Sequence, residues 1–228
     1  MRLLLKAINL QPLYQLIGYQ FQDKRLILNA LTHRSRGAKN NERLEFLGDS
    51  VLNFVIAEAL YQRYPESLEG DLSRLRACLV KGETLSEVAR ELSLGDYVQL
   101  GQGELKSGGF RRASILADCL EAMIAAVLLD SDFEACKQVI LTVFAKRLVG
   151  DINFESLKDP KTQLQERLQS KNINLPEYRL IQVSGEQHNQ IFEILCVVKS
   201  LDLKSVGKGT TRRKAEKNAA QQMLTHLT

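Results

Sequence analysis

The sequence predicts a multidomain chain: an all-α domain over residues 1–150, a short polar linker at 151–158, and a small α+β domain of order α-β-β-β-α over 159–228. Three observations predict it. Apolar residues in the first part recur at the three- and four-residue spacing of a helix face. After Asp159-Pro160 that pattern gives way to one short helix followed by strand-like segments. Charge is also uneven: residues 1–150 carry 19 Lys and Arg against 18 Asp and Glu, whereas 151–228 carry 12 against 9, so the excess of cations sits in the second part.

The elements follow in order. One helical stripe runs through Leu44, Leu47, Val51, Leu52, Val55 and Leu60, a second through Leu72, Leu75 and Leu79, and a third through Leu85, Val88 and Leu92. Breaks are expected at Tyr64-Pro65, at Gly95-Asp96, and across residues 101–109, whose four glycines read as a loop. Helices at 114–129 and 133–148 complete this part, which Gly150-Asp151 closes. In the second part, Pro160 opens a helix over 161–170. Strands are expected at 178–183, 191–198 and 201–206. A turn at 207–211 then leads to a last helix with Ala215, Ala219, Ala220, Met223 and Leu227 on its apolar side.

Composition excludes several classes. At 44% hydrophobic and 25% charged the chain is ordinary globular protein, not a long disordered one. No apolar run approaches the roughly eighteen residues a membrane span needs. The opening MRLLLK is cut short by Lys6, too early for a secretion signal. A cytoplasmic protein with no membrane partner is expected. Cys78, Cys119, Cys136 and Cys196 lie far apart with no C-x-x-C pair, which argues against zinc and disulfides and for four small buried hydrophobes. The net charge of +4 says little, but Lys204, Lys208, Arg212, Arg213, Lys214 and Lys217 face only Glu216, giving +5 over fourteen residues. Such a cluster fits a phosphate-binding surface; a solvated helix face is the commoner meaning of a charge run.

The segment NERLEFLGDSVL at 41–52 is the most informative. In a helix Glu42, Glu45 and Asp49 share one face, where like charges repel unless a cation joins them. Gly48 costs the helix about 1 kcal/mol against alanine. Local conflicts of this kind concentrate at functional sites. A second helix offers Asp118 and Glu121 amid the small residues Ala117, Ala122, Ala125 and Ala126, which permit close approach. If the two helices cross near Gly48, then Glu45, Asp49, Asp118 and Glu121 converge. Oxygen ligands alone favour Mg²⁺ or Mn²⁺, which would serve phosphate hydrolysis. Solvent-facing carboxylates have the same spacing, and a di-iron bundle would expect Glu-x-x-His pairs, which His33, His188 and His226 do not form with these acids. Spacing by itself leaves the choice open.

The 41–52 segment resembles the signature of the ribonuclease III family. The likeness extends to ALTHRS at 30–35, EGDLSRLR at 69–76, GELKSGGFRR at 103–112 and the helix at 114–126. Ala125 and Cys119 stand where that family often has glycine and threonine. By this resemblance Glu45, Asp49, Asp118 and Glu121 hold catalytic Mg²⁺, for which Mn²⁺ can substitute, with Asp49 and Glu121 central to catalysis. Glu42 and Glu69 match acidic positions in the cleft between subunits. It implies a homodimer, needing no small-molecule cofactor, that cuts both strands of double-stranded RNA to short duplexes with 5′-phosphates, 3′-hydroxyls and 3′ overhangs, ribosomal precursors among its substrates. His33 reads as a positioned or core-edge histidine, and Lys106, Arg111 and Arg112 as either phosphate contacts or plain surface charge.

The second part resembles a double-stranded-RNA-binding domain. Thr162, Gln165, Glu166 and Gln169 share a helix face that can bond 2′-hydroxyls in a shallow minor groove. His188 matches the loop position that probes the next minor groove. GKGTTRRKAE at 207–216 feeds a helix N-terminus, so Lys208, Arg212, Arg213 and Lys214 are expected on phosphates. A non-catalytic double-stranded-RNA binder on the same scaffold is the alternative; it predicts loss of one or more acids, and none is missing. A helical metalloprotein unrelated to nucleic acid leaves the basic module unexplained.

Overall fold

The computed structural model describes residues 9–149, 158–186 and 189–227. Two compact units divide the chain, Met1–Ile152 and Asn153–Thr228. Most of the expected linker, and His188, lie outside the described residues.

The first unit is helical: α1 (Gln11–Ile17), α2 (Lys24–Ala30), α3 (Glu42–Arg63), α4 (Glu69–Val80), α5 (Gly82–Glu91), α6 (Gln102–Lys106), α7 (Ala113–Asp130) and α8 (Phe133–Leu148). Helix α7 is its axis. Eleven of its residues are buried, from Ile115 to Val127, and α2, α3, α5 and α8 pack around it. Ala117, Ala122, Ala125 and Ala126 have no side chain beyond Cβ, so neighbouring helices come close enough to exclude water. Helix α3 ends at Arg63 because the residue before Pro65 is barred from helical dihedrals, and Tyr64 caps the helix instead.

Helices α1 and α2 have no counterpart in the sequence-based expectation. Each spans seven residues, too few for periodicity to register. Tertiary contacts hold them: Leu13, Tyr14, Ile17, Ile27 and Ala30 are buried, and the Asp130 carboxylate accepts hydrogen bonds from Tyr19 Oη, Gln22 N and Asp23 N, each at 2.8 Å. The stretch at 101–109 is likewise not a plain loop. It contains α6, followed by a single 3₁₀ turn at Gly109–Arg111, held by the ion pair of Glu104 with Arg112 at 2.9 Å. Cys119, Cys136 and Cys196 are buried as expected; Cys78 is only partly so.

In the second unit, α9 (Pro160–Ser170) and α10 (Arg212–His226) pack with a three-stranded antiparallel sheet of order β1 (Glu177–Ser184), β2 (Ile191–Val198), β3 (Leu203–Gly209). The core joins Leu164 and Leu168 of α9, Cys196 and Val198 of β2, and Ala219, Ala220, Met223 and Leu224 of α10. Leu224 takes the buried place expected of Leu227, which is only partly covered. Gly207 and Gly209, expected in a turn, belong to β3. A Cβ on Gly207 would stand 2.1 Å from Ala219 N and 2.2 Å from Ala215 O. These glycines therefore let α10 lie directly on the strand.

Candidate active site and nucleic-acid interface

The crossing of α3 and α7 builds the first site. Gly48 meets the backbone of Glu121 so closely that an added Cβ would lie 1.8 Å from its carbonyl oxygen. The glycine that weakens α3 is the condition for the contact. At the start of α3, buried Asn41 donates its backbone N–H to Thr32 O at 2.9 Å and its side-chain amide to Cys119 Sγ at 3.5 Å, which pins the helix to its neighbours.

With the helices held in this way, carboxylate oxygens of Glu45, Asp118 and Glu121 lie within 4.8 Å of one another. Burial, then the charges of Asp49, Glu45 and Asp118, push the Glu121 carboxyl up to about 8. Burial and its acidic neighbours Asp118 and Glu42 raise Glu45, and burial raises Asp118. Acids raised in this way, by burial first and by neighbouring charge at Glu45 and Glu121, are ones that a divalent cation would draw into their charged form. The donor set, all oxygen, suits a hard ion. Asp49 stands one turn along α3, near enough for its charge to act on Glu121, but outside that group of three. Its Oδ1 accepts from Asn53 Nδ2 at 2.8 Å.

Glu42 is exposed and lies 3.6 Å from the Arg34 guanidinium. Glu69 is further off, at the start of α4, accepting from Ser73 Oγ at 2.7 Å and lining a groove with Phe54, Tyr61 and Leu72. Sequence reasoning passed over Asn41, which stands in the quoted segment, and Arg34, whose place beside the acids depends on the fold.

In the second unit Thr162, Gln165, Glu166 and Gln169 are all exposed on α9, opposite buried Leu164 and Leu168. Glu166 is paired with Lys158 at 2.8 Å. Lys208 on β3 and Arg212, Arg213 and Lys214 in the first turn of α10 are exposed together. Thr211 caps that helix, its Oγ1 accepting from Lys214 N at 3.2 Å. Asn218 Nδ2 donates to Lys208 O at 2.8 Å, fixing the strand end against the helix. Lys217 points elsewhere: it pairs with Asp159 at 2.6 Å.

A helical unit with an acidic crossing, followed by an α-β-β-β-α unit with a basic face, is the architecture of a double-strand-specific endoribonuclease. The family profile for Ribonuclease-III-like proteins matches residues 23–148, and that for the double-stranded RNA binding motif matches residues 160–227. The chain is 55% identical to Ribonuclease 3 of Buchnera aphidicola subsp. Schizaphis graminum, over 93% of this chain and 94% of that one. It is also 55% identical to Ribonuclease 3 of Vibrio vulnificus strain YJ016, over 96% and 97%. A solved nuclease domain of ribonuclease III from Campylobacter jejuni superposes with a TM-score of 0.60 at 42% identity, over 64% of this chain and 99% of that domain. The chain belongs to the ribonuclease III family.

Proposed function

We propose that this chain hydrolyses phosphodiester bonds of double-stranded RNA, ribosomal precursors included, with Mg²⁺ held by Glu45, Asp118 and Glu121 and joined by Asp49, and with Mn²⁺ able to replace it. The observation that carries this reading is the contact of Gly48 with Glu121, which brings like-charged side chains from two helices into one cluster. The ion supplies a Lewis acid for the phosphoryl oxygens and lowers the proton affinity of water. Asp49 and Glu121 bear most on catalysis: they would help to hold the ion and accept the proton of the attacking water. The water oxygen would bond to phosphorus as the bond from phosphorus to O3′ breaks; the water's proton passes to the carboxylates and O3′ takes one from solvent water, leaving a 5′-phosphate and a 3′-hydroxyl.

The working boundaries are residues 1–150 for the nuclease domain, 151–158 for the linker and 159–228 for the RNA-binding domain. In the latter, Thr162, Gln165, Glu166 and Gln169 meet one minor groove and His188 the next. Lys208, Arg212, Arg213 and Lys214 hold the phosphates between, so that A-form shape is read more than sequence.

Two copies act together. On α3, Phe46, Phe54 and Tyr61 are 78%, 59% and 73% exposed, and positions eight and fifteen residues apart fall on one helical stripe. An apolar stripe of this kind beside the groove that includes Leu72 and Glu69 suits an isologous contact with a second copy, with Glu42 and Glu69 in the resulting cleft. Each subunit then cuts one strand, leaving short 3′ overhangs.

A long, perfect RNA duplex incubated with purified protein in Mg²⁺ or in EDTA tests the reading. Short staggered duplexes with 5′-phosphates, formed in Mg²⁺ alone, are the expected result. Binding without cutting in both Mg²⁺ and Mn²⁺ would replace it with a non-catalytic binder. Sedimentation of the same protein, with a Phe46→Glu, Phe54→Glu variant as the broken control, checks the dimer.

A further inference from the structure

Beside the carboxylate cluster lies a cavity of about 520 Å³, with Glu45 and Asp118 on its wall together with His33, Arg34 and Arg112. The cations differ in how they are engaged. Arg112 is tied to Glu104 at 2.9 Å. Arg34 is 71% exposed, and its ion pair with Glu42 is long at 3.6 Å. An exposed pair of this length is worth little and is readily exchanged for a phosphate oxygen.

The backbone around Arg34 is nonetheless well fixed. His33 N donates to Gln99 O at 3.0 Å, and Gln99 N to Leu31 O at 2.7 Å, stitching the segment to the chain that enters α6. Gly101 N donates to Ser35 Oγ at 2.9 Å, and a Cβ on Gly101 would meet Ser35 O at 2.3 Å. Ser35 N, which can only donate, bonds His33 Nδ1 at 3.2 Å. Nδ1 is therefore an acceptor, and the ring proton of a neutral His33 is on Nε2, where it remains available as a donor.

We infer that Arg34, with the Nε2–H of His33 beside it, holds a backbone phosphate of the duplex next to the carboxylate cluster; this rests on the nuclease reading above. A cluster of acids repels a polyanion even after a cation has joined it. The Arg34 guanidinium, exposed on the wall of the same cavity with its backbone held in place, supplies attraction for a phosphate beside the cluster. The role is distinct from that of the basic face on the second unit, which binds any duplex without regard to the point of cleavage.

The test is steady-state cleavage of a perfect duplex by the full-length protein and by Arg34→Ala and Arg34→Lys, across a Mg²⁺ titration and, at saturating Mg²⁺, at several salt concentrations. Arg34→Ala should raise KM about tenfold with kcat nearly unchanged, and lower the slope of log KM against log salt by about one. Arg34→Lys should recover the slope and part of KM, since it keeps the charge and loses the fork. Unchanged KM and slope in Arg34→Ala would overturn the inference. So would a shifted Mg²⁺ midpoint with KM unmoved, because Arg34 would then serve the acids and not the RNA. If the unmodified protein itself fails to cut, the nuclease reading falls, and this one with it.

Discussion

The α3–α7 crossing and the basic face of the second unit both gather like charges, and they do so in opposite ways. At the crossing, Glu45, Asp118 and Glu121 are partly buried, close together, and pushed toward protonation. At Lys208, Arg212, Arg213 and Lys214 the cations stand exposed in water, where repulsion is screened. The first arrangement is unfavourable until a specific ion enters it; the second costs little and waits for a polyanion. Position within the fold, more than charge, separates a site for chemistry from a site for binding.

The largest test of that contrast is the double variant Asp49→Ala, Glu121→Ala. Cleavage should fall by at least about a thousandfold, since several kcal/mol of charge stabilisation is removed. Duplex affinity measured by filter retention should hold, because the basic face is untouched. Equal cleavage by the variant would remove the acids from the reaction.

Next in size is Gly48→Ala. The new Cβ meets backbone rather than a yielding side chain, so the helices must separate. A loss of about 3 kcal/mol or more is expected, or roughly 6–12 °C in the melting temperature of the helical unit by calorimetry. A stable Gly48→Ala protein with full activity would mean that the close crossing is dispensable.

On the other side, Lys208→Ala, Arg212→Ala and Arg213→Ala together should weaken duplex binding at all sequences alike. The slope of log K against log salt should fall by about three. Cleavage of bound RNA should be unaffected at saturating substrate.

The smallest effect concerns pH and runs in opposite directions in the two units. Glu121 is raised when folded, so the metal-free helical unit holds a proton that its unfolded chain releases. That stability is complete below the usual glutamate value and is lost as pH rises toward about 8. Asp159 is the reverse case: burial raises it, but hydrogen bonds from Lys217 and from Lys161 N hold it below its ordinary value. Its contribution is present above the unfolded carboxylate value and fades as pH falls through the lower folded one. Melting curves in EDTA at pH 5 and pH 8.5 should show the helical unit weaken at the higher pH, and Mg²⁺ should reverse that change.

Much of this was legible in the residues alone. The stripes of α3, α4, α5, α7 and α8 are local patterns, and so are the face shared by Glu42, Glu45 and Asp49 and the run of cations from Lys204 to Lys217. Short elements were not legible. Helices α1 and α2 depend on contacts such as those of Asp130, more than a hundred residues from the segment it holds, and α6, at five residues, is too short for periodicity to register. The role of Gly207 was misread for the same reason: glycine before a helix suggests a turn, while the close approach of Ala215 and Ala219 makes it a strand position.

The sequence by itself determined which side chains share a helix face, because a fixed rise and rotation per residue turn spacing into direction. It also determined the oxygen-only character of the acidic set and the excess of cations near the end of the chain. Tertiary structure alone decided that Glu45 meets Asp118 and Glu121 while Asp49 stands aside, and that Arg34 faces the same cavity. Those outcomes turn on how closely two helices pack, and packing distance is set by atoms that spacing along one chain segment does not bring together.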